Sequence, residues 1–118
     1  GRILASKSDR YLRKICVREP ARFTAFHREG LVEFTDAPPA SILSELNQRG
    51  RKRCVLLGGG ETYTRFLEAD LVDALWLTLE PLVFGAGTPL VCAAMEKRFR
   101  LESTETLGPD TLLLKYAK

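Results

Sequence analysis

The stretch Val55-Leu56-Leu57-Gly58-Gly59-Gly60-Glu61-Thr62-Tyr63 decides how this chain is to be read. Cys54 to Leu57 is an apolar run of four with no polar alternation, the pattern of a parallel strand covered on both faces. Three glycines follow, free to take positive φ and presenting no Cβ to an approaching group. Glu61 to Leu67 then opens a helix that ends near Asp70. Such a strand, turn and helix bring unpaired amides and the positive end of a helix dipole to one point, an anion site suited to a phosphate or pyrophosphate. Thr62 adds a hydroxyl donor in the first turn, and Glu61 adds a negative charge that has to turn away from any phosphate. The spacing is neither a GxGxxG dinucleotide fingerprint nor a triphosphate loop with its Lys-Ser/Thr pair. A tight strand-to-helix connection with no ligand would use the same glycines.

Outward from the turn, strands and helices alternate. Ile3 to Ala5, Lys14 to Val17 and Leu31 to Phe34 read as short strands, and Ala21 to Arg28 as a short helix closed by Gly30. Pro39 to Arg49 carries Ile42, Leu43 and Leu46 at helical spacing, with Pro38-Pro39 as its start and Gly50 as its C-terminal stop. Val72 to Val83 is a long apolar strand interrupted by Pro81. Phe99 to Thr106 and Thr111 to Tyr116 flank Gly108-Pro109-Asp110 as a hairpin. The expected architecture is a single α/β domain over residues 1–118, with a mostly parallel sheet, an antiparallel carboxyl-terminal edge and helices on both faces.

Length and composition agree. The 118 residues are room for one domain, and 45% hydrophobic with 28% charged residues is an ordinary globular balance. The net charge of +3, from 18 Lys and Arg against 15 Asp and Glu, suits a small anionic ligand and does not by itself argue for nucleic acid. The cluster Arg49-Gly50-Arg51-Lys52-Arg53 is accounted for by the preference of helix C-termini for cations. Cys16, Cys54 and Cys92 lack any CxxC spacing, so neither a disulfide framework nor a zinc site is expected, and a reducing, cytoplasmic setting is. No apolar run reaches the roughly 18 residues of a membrane span.

The longer run holding the turn, Gly58 to Tyr63 followed by Phe66-Leu67, Leu71-Val72-Asp73, Leu77 to Pro81 and Leu82-Val83-Phe84-Gly85-Ala86-Gly87-Thr88-Pro89-Leu90, resembles the carboxyl-terminal part of the dihydrofolate reductase-like superfamily. Within it the chain is most similar to the riboflavin-biosynthesis reductase domain. The resemblance implies a three-layer α/β/α fold with NADPH across the carboxyl edge of the sheet. Gly58, Gly59, Gly60, Glu61, Thr62 and Tyr63 would then contact the cofactor, mostly through backbone. Ser6 and Lys7 at the end of an early strand would hold the adenosine 2′-phosphate, with Arg18 competing for that role. Gly85 and Gly87 would approach the nicotinamide end. The resemblance also implies that the chain holds the latter two-thirds or so of such a domain, without the family's opening strand and helix.

One position departs from the family pattern: Gly58 stands where riboflavin reductases carry a Glu that grips the ribosyl part of the substrate. The expected function is therefore NADPH-dependent hydride transfer to a pterin-like or pyrimidine-like small molecule, with dihydrofolate reductase as a narrower alternative. A second expectation, of another class, is a non-catalytic cofactor-binding or structural fragment completed by oligomerisation, a dimer being the simplest form. No catalytic residue stands out. His27, the single histidine, lies in a charged segment, and Glu80 and Asp73 qualify by polarity alone. Trp76 faces opposite to Leu75 and Leu77 in its strand, as a packing or interface residue.

Overall fold

The computed structural model describes residues 2–5, 14–17 and 32–118. In chain order these form β1 (Arg2–Ala5), β2 (Lys14–Val17), β3 (Val32–Thr35), α1 (Pro39–Gln48), β4 (Cys54–Leu56), α2 (Gly60–Glu68), β5 (Ala74–Leu79), β6 (Arg100–Thr106) and β7 (Leu112–Ala117). They build a four-stranded sheet of order β3-β2-β1-β4 and a three-stranded sheet of order β5-β7-β6. The short helix expected over residues 21–28 lies outside the described residues.

Both helices form for reasons visible in their ends. Proline at the first position of α1 has a fixed φ suited to helix entry and lacks only an amide that would be unpaired there. Gly50, at φ +78, closes α1: its amide donates to Asn47 O at 2.9 Å and the Arg51 amide to Leu46 O at 2.9 Å. The same device ends α2, but with Asp70 in the left-handed position at φ +59. Its amide donates to Leu67 O at 3.0 Å and that of Leu71 to Phe66 O at 3.1 Å.

The helices meet in one apolar cluster. Ile42 and Leu46 of α1 pack with Phe66 of α2, each 2–3% exposed, and Cys54 and Leu56 of β4 lean against them with Leu43, Leu71 and Val72. Burial keeps the Cys54 thiol protonated, its pKa pushed up to about 11. Arg49 ties the end of α1 to β3, donating from Nη1 to both Glu33 carboxylate oxygens at 2.7 Å and from Nη2 to Glu45. That fork commits one charge of the basic cluster to the chain's own carboxylates.

Two expectations are corrected. The sheet was expected to be mostly parallel, yet among the described strands only β2 and β3 pair in parallel, and the other four pairings are antiparallel. Cys54 to Leu57 was expected to be a parallel strand covered on both faces. It is three residues long, antiparallel to β1, and at the edge of its sheet, with Val55 50% and Leu57 51% exposed. An unbroken apolar run does not distinguish a strand buried on both faces from one that turns alternate residues to a helix core. Here Cys54 and Leu56 face the helices and Val55 does not.

The carboxyl-terminal hairpin forms as expected, closed by the Leu107 amide on Thr111 O at 2.9 Å. The apolar Val72 to Val83 segment shortens to β5. Chain beyond Pro81 leaves the sheet and exposes Leu82, Val83 and Phe84. Trp76 does face opposite to Leu75 and Leu77; it is 62% exposed, with Lys115 Nζ 4.8 Å from its ring centre. β4 and β5 each have one strand partner among the described residues.

Asp70 joins three parts of the chain. Its carboxylate accepts from Lys118 Nζ at 2.6 Å and lies 3.6 Å from Lys97 Nζ, while Lys118 Nζ also donates to Asp70 O. The Lys118 hydrogen bond holds the Asp70 carboxyl below the usual carboxylate range. A depressed folded-state pKa stabilises the fold above the unfolded value, and that contribution is lost in acid, below about pH 4. Asp70→Asn keeps the tolerance for positive φ and removes the charge. Thermal melts are expected to show a lower Tm for this variant at pH 7, a smaller gap in high salt, and none at about pH 2.

Candidate functional site: the glycine turn

The three glycines do three different things. Gly58 is buried at φ +83, and a Cβ on it would stand 3.1 Å from the Tyr63 hydroxyl and 3.3 Å from ring carbons. Glycine is therefore required there for both conformation and space, because the Tyr63 ring packs back over it. Gly60 opens α2, and its Cβ would stand 2.7 Å from Cys92 Sγ and 2.9 Å from the Pro89 carbonyl oxygen. Gly59, between them, is the N-cap, at φ −74 and ψ −168, with nothing within 4 Å of a Cβ position. The peptide bond joining Gly58 to Gly59 is cis. Two glycines thus serve internal packing, and one leaves the open face on which a ligand can rest.

What that face presents is backbone. The Tyr63 amide donates to Gly59 O at 3.0 Å, the first bond of the helix ladder, so the amides of Gly60 and Thr62 before it have no acceptor inside the helix. Together with the helix dipole they supply the partial positive charge of an anion site. Thr62 is 4% exposed, on the inner side of α2, so the open end offers amides more than its hydroxyl. Glu61 is exposed beside the same amides.

Behind the turn lies a contact that no local signal announced. Thr64, 7% exposed, donates from Oγ1 to Gly60 O at 2.7 Å and accepts the Cys92 amide at 2.7 Å on the same oxygen. One hydroxyl so joins the first turn of α2 to a segment 28 residues away. Pro89 and Leu90 were legible only as part of a Gly-x-Gly-x-Pro-Leu pattern, and nothing about Thr64 distinguished it from any mid-helix threonine.

The remaining expected residues divide clearly. Ser6, Lys7, Arg18 and His27 lie outside the described residues. Gly85 and Gly87 are exposed, with nothing within 4 Å of either Cβ position. Glu80 accepts from Thr111 Oγ1 at 2.8 Å and lines an open groove of about 430 Å³ with Pro81, Leu82, Val83 and Asp110. That groove shares no residue with the glycine turn, and with its mostly apolar, open walls it holds no convergent polar set for a reaction. Asp73 serves through its backbone oxygen, which accepts the Lys118 amide at 2.9 Å. Among the described residues no cluster of His, Cys, Asp and Glu could hold a metal ion, and Cys54 and Cys92 are free thiols.

The division of labour among the glycines is testable by alanine. Gly60→Ala forces a methyl against the Pro89 carbonyl and is expected to cost about 1–3 kcal/mol. Gly59→Ala meets no neighbour and is expected to lower the Tm less. Equal losses in thermal or urea melts of the two variants would contradict this assignment.

The chain resembles known proteins in sequence and in fold. A structure from Shewanella sp. PV-4, of a protein provisionally named for riboflavin biosynthesis, superposes with a TM-score of 0.67 at 24% identity, over 86% of this chain and 54% of that one. A pyrimidine reductase-like protein from Corynebacterium diphtheriae superposes with a TM-score of 0.62 at 25% identity, over 73% of this chain and 37% of that one. The uncharacterized protein YwjB of Bacillus subtilis (strain 168) is 28% identical over 78 residues, which is 65% of this chain and 45% of YwjB. The chain thus spans about half or less of the length of these relatives. The model of the RibD C-terminal domain matches residues 5–113, nearly the whole chain, and the protein therefore belongs to the RibD C-terminal domain family, in keeping with the resemblance read from the glycine turn.

Proposed function

We propose that this chain is the cofactor-binding part of an NADPH-dependent reductase acting on a pterin-like or pyrimidine-like small molecule. One observation carries the reading: an open Gly59 at the N-cap of α2, at the positive end of that helix's dipole, in a chain of the RibD C-terminal family. The name of the C. diphtheriae relative, a pyrimidine reductase-like protein, supports the substrate class.

The residues present fit a dinucleotide phosphate. Gly59 gives room for it, the amides of Gly60 and Thr62 would hold it, and the Gly58–Tyr63 packing would keep those amides in place. Bound NADPH would supply the hydride. The chain's own contribution is then to hold the cofactor in register rather than to transfer a proton. Ser6, Lys7 and Arg18 belong to the proposal as partners of the 2′-phosphate. A glutamate in place of Gly58 would put an L side chain at φ +83 and its Cβ against Tyr63. Gly58 therefore supplies no substrate grip in this packing. A cytoplasmic setting with reduced thiols is part of the same reading. Titration of NADPH and NADH, followed by nicotinamide fluorescence, is expected to show binding with NADPH preferred. No binding up to about 1 mM cofactor would sink the proposal.

A second reading is a module without turnover, completed by association, for instance as a homodimer. The edges of β4 and β5, unpaired among the described residues, favour it, with Val55, Trp76 and Leu79 each 50–62% exposed on those strands. Light scattering separates the readings: a mass above the monomer without any NADPH oxidation by pterin or pyrimidine substrates supports association alone, and a monomer that turns over removes it.

A further inference from the structure

We infer that Thr64 is a positioning residue for the anion site: its hydroxyl locks residues 89–92 behind the glycine turn and so holds the amides at the start of α2 in place. The inference rests on the cofactor reading above. Thr64 does not face the open side of the turn; it is 7% exposed and acts from behind. Its Oγ1 takes part in two hydrogen bonds of 2.7 Å, donating to Gly60 O and accepting from Cys92 N. Gly60 is the first residue of α2, and its Cα side is closed by Cys92 Sγ and the Pro89 carbonyl. The turn is therefore gripped at one residue from two directions, by its own helix through Thr64 and by residues 89–92.

The Thr64 hydroxyl ties the turn directly to residue 92. Removing it frees the Cys92 amide and leaves Gly60 O with only its helical bond from the Thr64 amide. Valine matches threonine in shape and lacks the hydroxyl, and serine keeps the hydroxyl while losing a methyl, so the pair isolates the bonds from the packing.

The test has two independent readouts, hydrogen exchange at the Cys92 amide with site-resolved alkylation of its thiol, and NADPH affinity. Thr64→Val, which removes both bonds, is expected to speed both Cys92 measurements and to weaken NADPH by about 10-fold. Thr64→Ser is expected to restore both. Thr111→Val, which removes the remote bond to Glu80, is expected to leave NADPH affinity at the wild-type value. In the wild-type chain NADPH is expected to slow exchange at Cys92, since coupling between two sites is reciprocal; this arm needs no variant to fold. Unchanged Cys92 exchange in Thr64→Val overturns the lock. Faster exchange with unchanged NADPH affinity overturns the positioning role. A wild-type chain that binds no NADPH overturns the cofactor reading and the positioning role with it, while exchange at Cys92 still decides the lock.

Discussion

The arrangement around the glycine turn depends on how closely residues 89–92 approach Gly60. A methyl group would not fit between them, so the approach exists only because the first residue of α2 has no side chain. Everything nearby follows from that contact. It places the Cys92 amide on Thr64, and Thr64 stands one helical turn into an element already fixed by Phe66 and Leu67. Phe66 in turn packs against Ile42 and Leu46. The apolar cluster, the helix, the threonine and the turn form one continuous chain of support, running from core to candidate site.

What could be read in advance divides along the same line. Elements announced by local chemistry were legible: Pro39 and Gly50 bracket α1, Gly108-Pro109-Asp110 turns β6 into β7, and the glycine run marks the start of α2. The family, too, was legible, because Gly58 to Leu90 carries a motif long enough to be distinctive. Strand direction was not. Cys54 to Leu57 has the composition of a covered parallel strand, and only its pairing with β1 shows that it runs antiparallel. Asp70 gave no sign that it would adopt the left-handed conformation usually reserved for glycine. Nor did the sequence distinguish the glycines by purpose, since the neighbours that make Gly60 necessary are separated from it by about thirty positions and a whole strand.

The strand edges tell a related story. β6 carries Arg100, Glu102 and Glu105 and a register shift between Leu101 and Ser103, features that blunt an edge against stray pairing. β5, with Ala74-Leu75-Trp76-Leu77-Thr78-Leu79, has none of them, and β4 is equally bare. Charge has been spent on one side of the three-stranded sheet and withheld on the other. Among the described residues, the charged edge is thus the one guarded against pairing, and β5 lacks that guard.

Trp76 sits on that uncharged strand, and it is the only tryptophan in the chain. Its indole is more than half exposed, with the Lys115 ammonium over the ring. Its emission wavelength consequently reports the surroundings of β5, whereas the aromatic side chain packed on Gly58 is Tyr63. A strand laid along β5 would move the indole out of water and shift its emission to the blue. A ligand that settles at Gly59 without disturbing β5 would leave that wavelength where it was.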